Sequence, residues 1–186
     1  DDRIGSGGQE DVPLRDRPDP LVDDTNLHLL GRELLEAVPD DLDGPGRVAP
    51  TGEPVVVLAN ELLDNLPVDL LERQADGWVE VLVGVHGGSL VEVAGPLRHA
   101  VPPGAAAASV GARVPVQAAA QHWLREALSL AAGGRVVVFD YGRPTATLAA
   151  RPISDWLRTY RGQQRGSPPL EALGLQDVTC DVAVDQ

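Results

Sequence analysis

Methionine and lysine are missing from the 186 residues altogether, and cysteine occurs once. The lone thiol, Cys180, excludes an internal disulfide framework and any zinc site built on cysteines. No apolar run approaches the roughly 20 residues needed to span a bilayer. The acidic start, "DDRIGSGG", offers neither the basic flank nor the apolar stretch of a secretory signal. A cytoplasmic location away from membranes is therefore expected. With no methionine even at its start, the sequence reads as a trimmed or incomplete chain. Positive charge is scarce too: 15 arginines oppose 28 acids, for a net charge of −13. Such a field repels polyphosphate, which argues against nucleic acid as a partner. None of the four histidines has metal-ligand spacing to another with a carboxylate partner, so no metal is expected.

What is present fits one sizeable domain, since 43% of the residues are hydrophobic. Residues 1–24 hold three prolines, three glycines and eight acids and keep no period, so they read as an irregular segment preceding a domain over 25–186. Residues 25–38 read as a helix, with Thr25 or Asn26 as N-cap and Leu27, Leu30, Leu34 and Val38 on one face. Val55–Ala59 reads as a short, fully buried strand of the parallel type. A turn over Glu61–Leu66 follows, limited by Pro67. In "WVEVLVGVHGGSLVEV", alternation on both sides of His86-Gly87-Gly88-Ser89 predicts a β-hairpin. Residues 100–115 read as a loop of low complexity. Residues 116–132 are the clearest helix, with a stripe of Val116, Ala120, Trp123, Ala127 and Ala131 and a Gly133-Gly134 cap. "RVVVFDYG" reads as a second buried strand, 143–169 as an arginine-rich connection, and "QDVTCDVAVD" as a last strand with Val178, Cys180, Val182 and Val184 on one face. Cys180 and the three tryptophans read as core.

Strand, helix, strand with apolar strands predicts an α/β fold with a mostly parallel sheet. Such sheets bind ligands at the carboxyl ends of their strands. Both buried strands end there in polar groups: Asn60, Glu61 and Asp64 after one, Asp140 and Tyr141 after the other. These residues are the candidate site. The plainer alternatives stay open at this point. Asn60 can be a helix cap with acids near the positive end of the dipole, and Asp140-Tyr141-Gly142 a strand-ending turn. Arg158, Tyr160, Arg161 and Arg165 form either a binding patch or a solvated connection.

Three blocks carry a family resemblance. "LANELLDNLPVDLLE…GWVEVLV", "GGRVVVFDYG" and "WLRTYRGQQRGSPPLEALGLQDVTCDVAVD" stand in the order, and carry the motifs, of the MidA-like methyltransferases. These are relatives of the mitochondrial complex I assembly factor that methylates protein arginine. The arginine-only composition, rich in Ala, Gly and Pro, is compatible with an actinobacterial member. The resemblance implies a class I, Rossmann-like fold with an inserted β-hairpin and S-adenosylmethionine as cofactor. The strand at 55–59 would be the fourth of the sheet and that at 135–139 the fifth. It further implies that Asn60, Glu61 and Asp64 orient the methyl acceptor, that Asn60, Asp140 and Tyr141 line the cofactor pocket, and that Tyr160, Arg161, Asp177 and Thr179 face substrate or partner.

The glycine-rich cofactor loop of that fold has one candidate here, "IGSGG", with Gly5 and Gly7 as contacts. Prolines follow where its helix should open, so the cofactor half is expected to be absent or degenerate. The expected function is methylation of a protein side chain, arginine first, with a homo-oligomer as the assembly considered. The alternative is a non-catalytic remnant or interaction module of the same fold that no longer binds the cofactor. A hydrolase-like reading fails because no serine sits in a nucleophile elbow.

Overall fold

A computed structural model describes residues 55–131 and 133–186. The expected helix over 25–38, the irregular segment 1–24 and the Gly5–Gly7 loop lie outside the described residues. Strand β1 (Val56–Asn60) leads into a single 3-10 turn at Leu63–Asn65. Strands β2 (Asp69–Gln74), β3 (Gly77–His86), β4 (Ser89–Gly95) and β5 (Arg113–Val116) follow. Helix α1 (Ala118–Ala131) then carries the chain to β6 (Arg135–Phe139) and the short β7 (Gly142–Arg143). Helix α2 (Thr145–Ala149), β8 (Leu157–Arg161), β9 (Gln164–Arg165), β10 (Asp177–Cys180) and β11 (Val182–Ala183) complete the order.

β1 and β6 pair in parallel, in register from Val56 with Arg135 to Asn60 with Phe139. Helix α1 packs on this pair. The Gly133-Gly134 cap holds as expected: Gly133 sits at φ +88, and Gly134 lies so close to the Val55 backbone that no Cβ fits. The described residues show the expected parallel pairing only in part. Among the described residues, parallel pairing is confined to β1–β6 and the short β7–β11. The other ladders are antiparallel: a four-stranded sheet ordered β4-β3-β2-β5 and a three-stranded one ordered β10-β8-β9. The fold is α/β, with strands dominating the described residues.

The predicted hairpin is β3–β4, turning at Gly87 and Gly88 with φ +59 and +82. Both values suit the two-residue turn that matches strand twist, which glycine reaches without a Cβ penalty. It belongs to the larger sheet, because Asp69–Gln74 and the stretch read as loop before 116 both supply strands. Pro115 is tolerated in β5 because β5 is an edge strand. One side chain ties this sheet across its face. The Arg113 guanidinium donates to Glu72 at 2.8 Å and, through two nitrogens, to Glu92 at 2.9 and 2.8 Å.

Among the described residues, two buried clusters stand out. Leu71, Ala105, Val114 and Val116 make the first; Leu148, Trp156, Cys180 and Ala183 make the second. The connection 143–169 is thus not a plain loop, since it contains Leu148 and Trp156, both fully buried. β1 is not fully buried either. Ala59 is covered, yet Val56 and Leu58 are 66% and 65% exposed. Alternate side chains leave a strand on opposite faces, and α1 covers one face. The single last strand breaks into β10 and β11 at Asp181, which is buried. Val178 and Val184 are therefore exposed while Cys180 and Ala183 are buried. Gln117 bridges the break: its side-chain amide donates to Asp181 O at 3.3 Å and accepts from Ala183 N at 2.6 Å.

Candidate functional site

The exits of β1 and β6 lie side by side because the two strands are parallel and in register. Glu61 N–H donates to Phe139 O at 2.8 Å and extends the ladder by one residue. There the chain turns sharply, with Glu61 at φ +49. A non-glycine residue held in this left-handed region costs on the order of 1 kcal/mol.

The turn is held from the neighbouring strand. Asp140 Oδ2 accepts the Leu63 and Asp64 N–H groups at 2.8 and 3.3 Å, and its Oδ1 accepts Tyr141 N–H at 2.8 Å. The carboxylate thus caps the 3-10 turn and fixes Asp64 over the exit of β6. Asp64 is buried, and its Oδ1 accepts Asn65 Nδ2–H at 2.7 Å. Burial, then the charges of Asp140 and Glu61, raise the Asp64 carboxyl above its ordinary value, against a lowering pull from Arg158. Asp64 therefore holds a proton more readily than a surface carboxylate.

Strands β8 and β10 supply the facing wall. Glu61, Asp64, Asn65, Tyr141, Arg158, Tyr160, Asp177 and Thr179 enclose a cleft of about 520 Å³. Tyr160 and Asp177 are paired positions of β8 and β10, and Arg158 pairs with Thr179. Arg158 is anchored from behind, donating to Asp181 Oδ1 at 2.5 Å and to Asp155 O at 3.2 Å. The Arg165 guanidinium stands 5.3 Å from the centre of the Tyr160 ring, a cation–π distance.

Of the residues singled out in the sequence, the structure brings Glu61, Asp64, Tyr141, Arg158, Tyr160, Asp177 and Thr179 together around one cleft. Asn60, Asp140 and Arg161 are not among its lining residues, and Gly5 and Gly7 lie outside the described residues. Asp140 acts on the cleft through the turn it caps. Sequence reasoning passed over Asn65 and Asp181. The signal for Asp181 was an acid interrupting an apolar alternation. Cys180 beside it is buried, its thiol pushed up to about 12 by burial and then by the Asp181 charge, so it is a packing group.

The carboxylates at the β1 exit fit the cationic end of a sulfonium cofactor. Among the described residues no glycine-rich turn leads from a strand into a helix, so the nucleoside end has no cradle there. No helix among the described residues is long and apolar enough to cross a membrane.

Comparison with known proteins gives the frame for this cleft. A crystal structure of an uncharacterized protein from Burkholderia thailandensis is similar at a TM-score of 0.62 and 29% identity, over 70% of this chain and 36% of that one. A second Burkholderia thailandensis structure of the same superfamily, bound to S-adenosyl-homocysteine, is similar at a TM-score of 0.60 and 27% identity, over 70% of this chain and 35% of that one. This chain thus spans about a third of the length of both structures. A search of curated proteins found no match. The family model described as "Putative S-adenosyl-L-methionine-dependent methyltransferase" matches residues 29–186. That match covers most of the sequence, and the chain belongs to this methyltransferase family.

Proposed function

We propose that this chain carries the acceptor-orienting part of an S-adenosylmethionine-dependent methyltransferase of the MidA-like type, acting on a protein side chain, with arginine the first choice. In this reading β1 and β6 are the fourth and fifth strands of a class I, Rossmann-like sheet. The observation that carries it is the cleft at the two strand exits, where Glu61, Asp64 and Asp177 stand among Tyr141 and Tyr160. A guanidinium presents donors only, in a planar fork that pairs with carboxylates and stacks on aromatic rings. The three carboxylates outnumber the one cation of the recess, Arg158, which Asp181 already pairs, so the recess suits such a group.

When bound, S-adenosylmethionine supplies a methyl group on a sulfonium, open to in-line attack. The acceptor nitrogen must lose a proton as its bond to that methyl forms. Asp64, raised by burial and neighbouring acids, is placed to take that proton. Glu61 and Asp177 orient the rest of the cation, and the turn capped by Asp140 keeps Asp64 in position. Positioning of this kind supplies much of the acceleration in a displacement reaction. The reading includes a cytoplasmic location and a protein acceptor, with a homo-oligomer as a possible assembly.

Calorimetric titration of the chain with S-adenosylmethionine and S-adenosylhomocysteine tests cofactor capture. Transfer of labelled methyl to arginine-containing protein, by wild type and Asp64→Asn, tests the site. Micromolar binding would mean that this chain completes a cofactor pocket, and a loss of about 100-fold or more in transfer by the Asn variant is then expected. A folded chain that takes up neither ligand is the non-catalytic module of the same fold. Unchanged transfer by Asp64→Asn removes Asp64 from the mechanism.

A further inference from the structure

A second and larger recess of about 1200 Å³ adjoins the acidic cleft at Arg158. It runs between the face of the four-stranded sheet and the β8 strand with the loop that follows β9. Val81, Val83 and Leu90 line it on the hairpin side; Ile153, Leu157 and Leu173 line it on the other. Arg113, bound to Glu92, lies along one margin. Arg158 and Thr159 lie along another, and Arg158 also lines the acidic cleft. The two recesses therefore meet at one side chain, which Asp181 and the Asp155 carbonyl hold in place. Arg165 lines the larger recess while its guanidinium lies over Tyr160 of the smaller, so a second residue joins the two.

Small-molecule sites enclose roughly 300–1,000 Å³, and the groove exceeds that range. Aliphatic side chains line it on both sides, together with Glu92, Arg113, Arg158, Arg165 and Glu171. An occupant that fills it must offer a row of apolar side chains and, across Arg158, a cation for Glu61, Asp64 and Asp177. A polypeptide has both on one strand of backbone. We infer that the groove docks the acceptor protein as an extended segment whose apolar residues flank the basic side chain that enters the cleft. The inference rests on the acceptor-orienting reading of the cleft and adds a sequence preference to it. Specificity then comes from the flanking residues, while the cleft reads only the cation.

Fluorescence anisotropy with three labelled peptides of about ten residues tests this. One carries a central arginine flanked by leucine and valine, one the same arginine flanked by serine, and one glutamine in place of arginine between the apolar flanks. The apolar-flanked arginine peptide should bind about ten-fold or more tighter than the serine-flanked one. Leu173→Asp, at a half-exposed position, and Leu90→Asp should reduce that ratio to near unity, with circular dichroism confirming the fold. Asp64→Asn should weaken both arginine peptides alike. No flank preference in the wild type, or an unchanged preference in both aspartate variants, overturns the groove. A flank preference retained by the glutamine peptide at full affinity supports the groove and refutes the cleft reading. A wild-type dimer in sedimentation velocity that Leu173→Asp dissolves overturns the inference, because a second copy then occupies the groove.

Discussion

Replacing Asp140 with alanine should loosen the cleft without touching its lining. The carboxylate accepts three backbone N–H groups, from Leu63, Asp64 and Tyr141. Hydrogen bonds to a charged group contribute about 1.5–3 kcal/mol each. One of the three is long, at 3.3 Å, and the one to Tyr141 is exposed, so one full bond and two fractional ones give roughly 2–3 kcal/mol. Repulsion between Asp140 and Asp64 offsets about 1 kcal/mol of that in a partly solvated setting. The net loss is about 1–2 kcal/mol. Urea unfolding followed by tryptophan fluorescence should show a midpoint lower by about 0.5–1 M with an unchanged slope. Asp140→Asn, which keeps one acceptor oxygen, should fall between the two. A midpoint for the alanine variant within about 0.2 M of wild type would refute the latch.

The Asp64 titration gives a signed test. Its folded value is raised above the ordinary 3.8, so the folded chain binds the extra proton. Stability therefore falls as pH rises from the unfolded value through the raised folded one, and stays lower above it. Asp64→Asn lacks this loss, so its stability relative to wild type should grow across that window; a gap independent of pH counts against the burial argument. Glu61→Gly should be more stable than Glu61→Ala by about 1 kcal/mol, because only glycine meets φ +49 without strain, and equal unfolding midpoints would refute the strain. Arg113→Ala leaves Glu72 and Glu92 facing each other on the sheet without their shared cation. It should cost about 2–4 kcal/mol by thermal unfolding, with Arg113→Lys recovering only part, and a loss below about 0.5 kcal/mol would assign the triad to the solvated surface.

Much of this architecture was legible before any coordinates. The hairpin at His86–Ser89 announced itself through period-two alternation around two glycines, and helix α1 through its alanine stripe and glycine cap. These are local signals, set by backbone sterics and side-chain period. The site was legible for a related reason: both apolar strands end in polar residues, and parallel strands of an α/β sheet place such ends together. Strands β2, β5 and β8 were not legible. Leu70-Leu71 breaks alternation, β5 contains a proline, and β8 lies in an arginine-rich stretch; their pairing is decided by partners distant in sequence. The broken terminal strand was missed for the same reason, since the cost of burying Asp181 is met by Arg158, 23 positions away, and by Arg143, whose Nε lies 3.8 Å from its other oxygen.

The sequence by itself determined the local elements, the acidic character of the chain and the residue types at the strand exits. Only the tertiary structure decided which carboxylate does what. Asp140 and Asp64 both follow an apolar strand, and nothing in their local sequence separates them. One is turned into backbone amides and spent as a cap; the other is buried beside like charges with its proton affinity raised. That division depends on which groups the fold brings within hydrogen-bond reach and which it withdraws from water, and neither is a local property of a chain.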